Sequence, residues 1–258
     1  MILLKSTEQV AAILRAGQFV VDAHRLVRER IAPGVETCEL ADLVQEYFSA
    51  HHCEAIFQRM GGKNPFPSAI SVCVNEELVG GVPSRRTLRN GDIVTIDIGC
   101  RYDGWCADAA WSYPVGTVSN QKAKLLQFGK FLLDLAVRKA GCANSWGEVI
   151  RGITEYISGS EYSVIPEFRG HGIGQNLHED PQVSYTDLDV TGDWDFPLVK
   201  GTVFTIEPVV VSGNTSVKKG STPWTWISSN GAAGAYFEQT VAITENGLQI
   251  LTANLGSG

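Results

Sequence analysis

Three acidic residues stand inside segments that otherwise read as buried strands. Asp97 interrupts Ile93-Val-Thr-Ile-Asp-Ile-Gly99, Glu207 lies within Val203-Phe-Thr-Ile-Glu-Pro-Val-Val-Val211, and Glu238 within Tyr236-Phe-Glu-Gln-Thr-Val-Ala-Ile243. A lone carboxylate in such a strand costs roughly several kcal/mol unless it is paired or bound to a cation. None of the three segments carries its own Lys or Arg, so the compensating cation must come from elsewhere. Hairpin geometry adds a fourth acid. Asp103-Gly104 is a two-residue turn signal that pairs Tyr102 with Trp105, which sets Gly99 opposite Asp108 and Asp97 opposite Ala110. Asp97 and Asp108 are then diagonal neighbours on one face, roughly 7–8 Å apart at Cα. Their repulsion changes sign if one or two divalent cations lie between them; the alternative is that Asp108 is a solvated hairpin residue. The fifth element is Gly170-His-Gly-Ile-Gly-Gln-Asn-Leu-His178, whose alternating glycines weaken a helix and let the backbone approach a ligand. A neutral imidazole at His171 among carboxylates suits a borderline metal such as Co, Mn, Fe or Zn. His24, His51 and His52 read as structural.

The elements that must position these groups follow from periodicity. Residues 6–31 form an amphipathic helix, with Ser6 and Gln9 at capping-box spacing, Val10, Ile13, Leu14, Val20 and Val21 on its stripe, and Pro33-Gly34 as its stop. A second helix is expected over 36–51, with Leu40, Leu43, Val44, Tyr47 and Phe48 on one face, and two more over 120–140 and 145–157. Gly61 to Ser68 reads as a loop, 69–75 as a strand, 93–99, 203–211 and 236–244 as further strands, and 212–234 as a long hairpin or surface loop. Helices, strands, helices and strands again predict an α+β chain built from two similar halves, one domain over 1–258.

Composition narrows the class. The chain has 258 residues, 28 acidic against 21 basic, and a net charge of −7, which does not match the basic footprint of a DNA-binding protein. At 44% hydrophobic and 19% charged residues it is a globular composition. No apolar run approaches a membrane span, and the start is too short in apolar residues for a signal peptide. Six cysteines without CxxC spacing indicate free thiols and a cytoplasmic location. Asp187, Asp189, Asp193 and Asp195 hint at a calcium loop, but Thr191 holds the fifth place and Leu198 the twelfth, where a bidentate Glu is needed, so this reads as a solvated acidic loop.

Taken together, Asp97, Asp108, His171, Glu207 and Glu238, each in its local motif, resemble the metal-ligand pattern Asp, Asp, His, Glu, Glu of the methionine aminopeptidases, in particular the bacterial type I enzymes; matching stretches run over essentially the whole chain. The resemblance implies a pita-bread fold, two pseudo-symmetric halves with a central antiparallel sheet covered by helices. It also implies two divalent ions, with Asp108 and Glu238 bridging, Asp97 on one ion and His171 and Glu207 on the other. Glu207 would act as general base, and His178, in Leu-His-Glu-Asp-Pro, would support the carbonyl oxygen in the tetrahedral state. The implied activity is removal of N-terminal methionine from nascent polypeptides in the cytoplasm. The ribosome is a candidate partner, the chain is expected to be monomeric, and no membrane is involved.

The resemblance is incomplete around the substrate. The family's Asn-Glu-x-x-x-His-Gly-x-Pro is written here Asn75-Glu-Glu-Leu-Val-Gly-Gly-Val-Pro83, so Gly80 replaces a histidine that positions the scissile amide. Loss of such a group commonly costs about 10²–10⁴-fold in rate. Met60 and Lys63 stand where the family has Cys and Tyr, Phe66 where it has Tyr, and Leu177 where it has Phe, while Trp224 matches the pocket tryptophan. Lys63 reads as an exposed loop lysine, with a contact to the substrate chain as the alternative. Restoring the side chain by Gly80→His is expected to raise turnover if its absence is limiting. Two competing readings remain. One is an X-Pro-cleaving aminopeptidase or prolidase, although those relatives usually carry an extra N-terminal domain for which this chain has no room. The other is a weakly active, metal-retaining homologue that binds peptide N-termini or the ribosome.

Overall fold

The computed structural model describes residues 1–186 and 194–255. Among the described residues the α-helices are α1 (Thr7–Arg30), α2 (Thr37–Ala50), α3 (Asn120–Ala140) and α4 (Trp146–Ser158). After α2 come β1 (Glu54–Ala55), β2 (Ile70–Val74), β3 (Glu77–Val79), β4 (Ile93–Tyr102) and β5 (Trp105–Pro114). After α4 come β6 (Tyr162–Val164), β7 (Gly170–Gly172), β8 (Glu179–Val183), β9 (Val203–Ile206), β10 (Val209–Ser212), β11 (Val217–Lys219), β12 (Trp226–Ser228), β13 (Gly234–Tyr236), β14 (Gln239–Thr244) and β15 (Gly247–Ile250). A helix pair followed by antiparallel strands therefore occurs twice, as the sequence predicts.

α1 starts on the expected capping box, with the Gln9 backbone N–H donating to Ser6 Oγ and the Ser6 N–H donating to Gln9 Oε1. Its buried stripe lies over β4 and β5. Leu14, expected on that stripe, is 38% exposed. At 3.6 residues per turn it falls nearly a third of a turn from the centre of the buried arc. α3 packs over β10 and β13 in the second half. The start of α4 gains no side-chain bond from Ser145; instead the Gly147 N–H donates to Asp195 Oδ1 at 2.7 Å. Asp195 thus caps a helix, while Asp187, Asp189 and Asp193 of the acidic segment lie outside the described residues.

Among the described residues the strands fall into four antiparallel sheets. β4 pairs with β1, β2 and β5, and a five-stranded ladder runs β15-β14-β9-β7-β8. β13-β10-β6 and β11-β12-β3 complete the set. The segment 212–234 is thus a hairpin whose second arm, β12, pairs with β3. Two of the long strands expected from sequence are broken, at the acids themselves: β9 stops at Ile206 and β10 resumes at Val209, while β13 stops at Tyr236 and β14 resumes at Gln239. Pro208 has no N–H to give to a ladder. At the second break the Glu238 N–H donates instead to Ala110 O on β5, at 2.8 Å. No described helix is long and apolar enough to cross a membrane, and all six cysteines are free.

Candidate metal centre

The β4–β5 hairpin has the expected register: Tyr102 faces Trp105, Gly99 faces Asp108 and Asp97 faces Ala110. Asp103 and Gly104 both adopt positive φ (51° and 80°), the turn geometry that fixes this pairing. The strand runs on past Gly99 and includes Arg101, but that guanidinium turns to Glu54 Oε2 at 3.2 Å and supplies no cation to Asp97. Asp108 is 4% exposed, which rules out a solvated hairpin residue. Its backbone is clamped to β14, the Thr240 hydroxyl donating to Asp108 O at 2.7 Å and accepting from Asp108 N at 3.2 Å.

The second half brings the other three groups to the same place. Glu207 and Glu238 stand at the two strand breaks, where a side chain is released from the alternation of the ladder. The Thr205 hydroxyl donates to Glu207 Oε1 at 2.7 Å, and the Glu207 N–H donates to the Tyr185 hydroxyl at 2.6 Å. His171 Nδ1 lies 3.0 Å from Gly172 O; with the proton on Nδ1, Nε2 keeps its lone pair, 3.7 Å from Glu207 Oε1. Ligand atoms of Asp108, His171 and Glu238 all lie within 4.8 Å of one another. The glycines around His171 serve a purpose other than the expected approach to a ligand. A β-carbon at Gly172 would lie 2.0 Å from Asp180 O, and one at Gly170 2.4 Å from Thr205 O, so both let neighbouring strands close.

The electrostatics favour a cation. Asp97 Oδ1, Asp108 Oδ1 and Glu238 Oε1 are buried with no hydrogen-bond partner among the described residues. Asp97 is within hydrogen-bonding reach of Asp108, and Glu207 of Glu238. Oxygens that face oxygens need a proton or a metal ion between them. Burial pushes Asp97 up to about 7 and Glu207 up to about 8, and it raises Asp108 and Glu238 well above the usual carboxylate range, with neighbouring acids adding to the shift. Burial holds His171 down at about 3, so its imidazole is neutral and able to ligate. Carboxylates and one neutral imidazole around orphaned oxygens fit divalent transition metals.

These groups form the floor of a cavity of about 340 Å³ whose wall includes Phe57, Met60, Phe66, Leu177 and Trp224. Phe66 meets Trp224 edge to face at 5.6 Å, and Leu177 is buried. Lys63 is exposed and does not line the cavity. His178 is at the rim, its ring 4.2 Å from that of His171 and perpendicular to it. Its turn is braced by the buried Lys5–Glu179 ion pair (2.6 Å) and by the Asn176 N–H donating to Glu179 Oε1 (3.1 Å). Gly80 lines the cavity with its backbone alone. Its φ is +67°, and a β-carbon there would lie 2.4 Å from Trp224 O. The simple restoration expected of Gly80→His is therefore obstructed, because this backbone has closed over the space.

Three supporting residues escaped the sequence reading. Tyr236 donates its hydroxyl to Asp97 Oδ2 at 3.0 Å, Thr205 holds Glu207, and Tyr185 receives the Glu207 N–H. Each lies in an apolar or mixed segment that carries no local signal; only the strand breaks at Glu207-Pro208 and Phe237-Glu238 point to them.

A sequence model of metallopeptidase family M24 matches residues 11–245. Methionine aminopeptidase 1 of Bacillus subtilis is 37% identical over 98% of this chain and 99% of its own. The methionine aminopeptidase of Clostridium acetobutylicum is 34% identical over the same shares. The crystal structure of methionine aminopeptidase from Thermotoga maritima superposes with a TM-score of 0.90 at 34% identity, covering 98% of this chain and 99% of that one. A prolidase from Pyrococcus furiosus has the same fold at a TM-score of 0.73 and 24% identity, and this chain covers 65% of it. A family match over most of the chain, with relatives above 30% identity across their full length, leaves one conclusion: the chain belongs to metallopeptidase family M24, among the methionine aminopeptidases.

Proposed function

We propose that this chain is a metal-dependent aminopeptidase that removes the N-terminal methionine from peptides and nascent proteins. The observation that carries the reading is the set of partnerless carboxylate oxygens at the floor of an apolar-walled cavity. Asp97, Asp108, His171, Glu207 and Glu238 would hold two divalent ions, from among Co, Mn, Fe and Zn. When bound, the ions polarise the scissile carbonyl and lower the pKa of an attacking water. Glu207, steadied by Thr205, accepts the water's proton. His178 donates a ring N–H to the carbonyl oxygen as charge develops on it. Phe66, Leu177, Trp224 and Met60 enclose the N-terminal side chain, a slot suited to an unbranched thioether. Gly80 offers no side chain to position the scissile amide.

The whole chain, 1–258, acts as one catalytic unit, a monomer in the cytoplasm, where six free thiols persist. Elemental analysis of the purified protein, alongside release of free amino acid from Met-Ala and X-Pro peptides with added Co or Mn, tests this directly. Metal bound and Met released from Met-Ala supports it; release from X-Pro peptides alone, or from none with any metal, overturns it. Gly80 favours a second reading, a metal-retaining homologue that binds N-termini but turns over slowly. Tight peptide binding with a kcat/KM depressed by about 10²–10⁴-fold would select it.

A further inference from the structure

Arg169 comes one residue before β7 and two before His171. In an extended segment two residues span about 6.6 Å and their side chains share a face. Arg169 accordingly lines the main cavity with His171 and, outside it, a second cavity with His178 and Gln182. Among the described residues it is the sole Lys or Arg lining either one. Its guanidinium lies 4.1 Å over the Trp194 ring and donates to Gln182 Oε1 at 3.2 Å. Gln182 is the residue directly opposite His171 in the β7–β8 ladder. Both partners are neutral, and among the described residues no carboxylate forms an ion pair with Arg169. A guanidinium placed over a ring, with one N–H engaged by an amide oxygen, keeps further N–H donors in the fork that matches a carboxylate.

The surroundings sharpen the choice of ligand. Glu167, Asp180 and Glu179 line the outer cavity, and the metal-centre acids line the inner one. Glu179 is already paired with Lys5 and Asp180 with the Met1 amino group, so of the cations around this wall Arg169 is the one with no carboxylate paired to it among the described residues, and a substrate carboxylate is favoured there. We infer that Arg169 is a specificity-determining residue that binds a substrate carboxylate one or two residues beyond the scissile bond. An extended peptide advances about 3.3–3.6 Å per residue, so two residues match the offset between His171 and Arg169. The ligand class is thus a short peptide with a free C-terminus, or a longer chain with an acidic residue soon after the methionine. This inference rests on the aminopeptidase reading above.

The test uses the Mn-loaded protein and three peptides: Met-Ala-Gly as free acid, Met-Ala-Gly amide, and Met-Ala-Asp amide. In the wild type, kcat/KM for at least one carboxylate-bearing peptide should exceed that for the neutral amide by about tenfold. A preference for the free acid alone identifies the terminal carboxylate as the ligand; a preference for the Asp peptide identifies the side chain. The ratio should fall to about one in Arg169→Ala, take an intermediate value in Arg169→Lys, and widen in Glu167→Gln. A wild-type ratio of about one for both comparisons, or a ratio that survives Arg169→Ala, overturns the assignment. Calorimetric Kd values for the same peptides separate the two ideas. Discrimination in binding without turnover sinks the aminopeptidase reading and keeps Arg169, whereas turnover without discrimination does the reverse.

Discussion

Asp97 and Asp108 stand on a continuous ladder of ten residue pairs between β4 and β5, whereas Phe66, Gly80 and Trp224 hang from turns around the mouth of the same cavity. On the ladder, moving a side chain by one residue turns it to the other face of the sheet, so position and chemistry are locked together. At the mouth, the loop after Met60, the bend at Gly80 and the segment before β12 adjust to one another. The Trp224 ring fills the space beside Gly61, and the Trp224 carbonyl closes over Gly80. The four acids and the imidazole expected at the metal centre line one cavity, two of them (Asp97 and Asp108) fixed by the ladder and Glu207 and Glu238 by the strand breaks, whereas the mouth is shaped by contacts between loops.

Breaking the floor should have the largest effect. Asp108→Asn is expected to weaken metal binding by more than about 100-fold, beyond what losing a supporting residue costs, and to abolish release of methionine. The same change should raise the melting temperature of the metal-free protein, because it removes a buried carboxylate that faces other carboxylates. A titration of Mn and a thermal melt read the two effects separately. At the rim, Gly80→His should cost about 1–3 kcal/mol of stability, since a side chain must adopt a left-handed φ against the Trp224 carbonyl. No gain in kcat/KM is expected; a large gain would mean that this loop opens readily.

Behind the floor, buried in the core, Tyr236 reaches Asp97. Tyr236→Phe removes the donor that favours the charged form of Asp97 and should weaken Mn binding by about tenfold with the fold intact, measured by calorimetry. The smallest effect is the pH dependence of the metal-free protein. Asp97 and Glu207 titrate at about 7 and about 8 when folded, against about 4 when unfolded. The folded state therefore holds these protons more tightly, a stabilisation complete below about pH 4 and lost as pH rises through both folded values. His24 and His171 act oppositely, lowered by burial to about 4 and about 3; their contribution is present above their unfolded pKa of about 6.5 and lost as pH falls toward those values. Metal-free protein should lose melting temperature as pH rises from about 6.5 through 8, and added Mn should flatten that decline.

Much of this was legible in the residues. The capping box at Ser6 and Gln9 marks the start of α1, Asp103-Gly104 dictates the register that pairs Gly99 with Asp108, and an acid in an apolar run announces its own anomaly. What escaped was non-local. Leu14 belongs to the apolar pattern but lies beyond the arc that β4 and β5 cover. Tyr236 reads as a strand residue until its hydroxyl is seen on Asp97, and the glycines flanking His171 read as ligand-facing until Asp180 and Thr205 are seen pressing on them.

By itself the sequence determined which side chains are too costly to bury without a cation and the order in which they occur, because burial energetics and turn chemistry act over a few residues. Only the tertiary structure decided that Glu207 and Glu238 stand at strand breaks, that Gly80 is closed to a side chain, and that Arg169 lines the cavity beside the floor. Those outcomes depend on contacts between segments far apart in the chain, and no local pattern encodes which backbone carbonyl will come to lie against which residue.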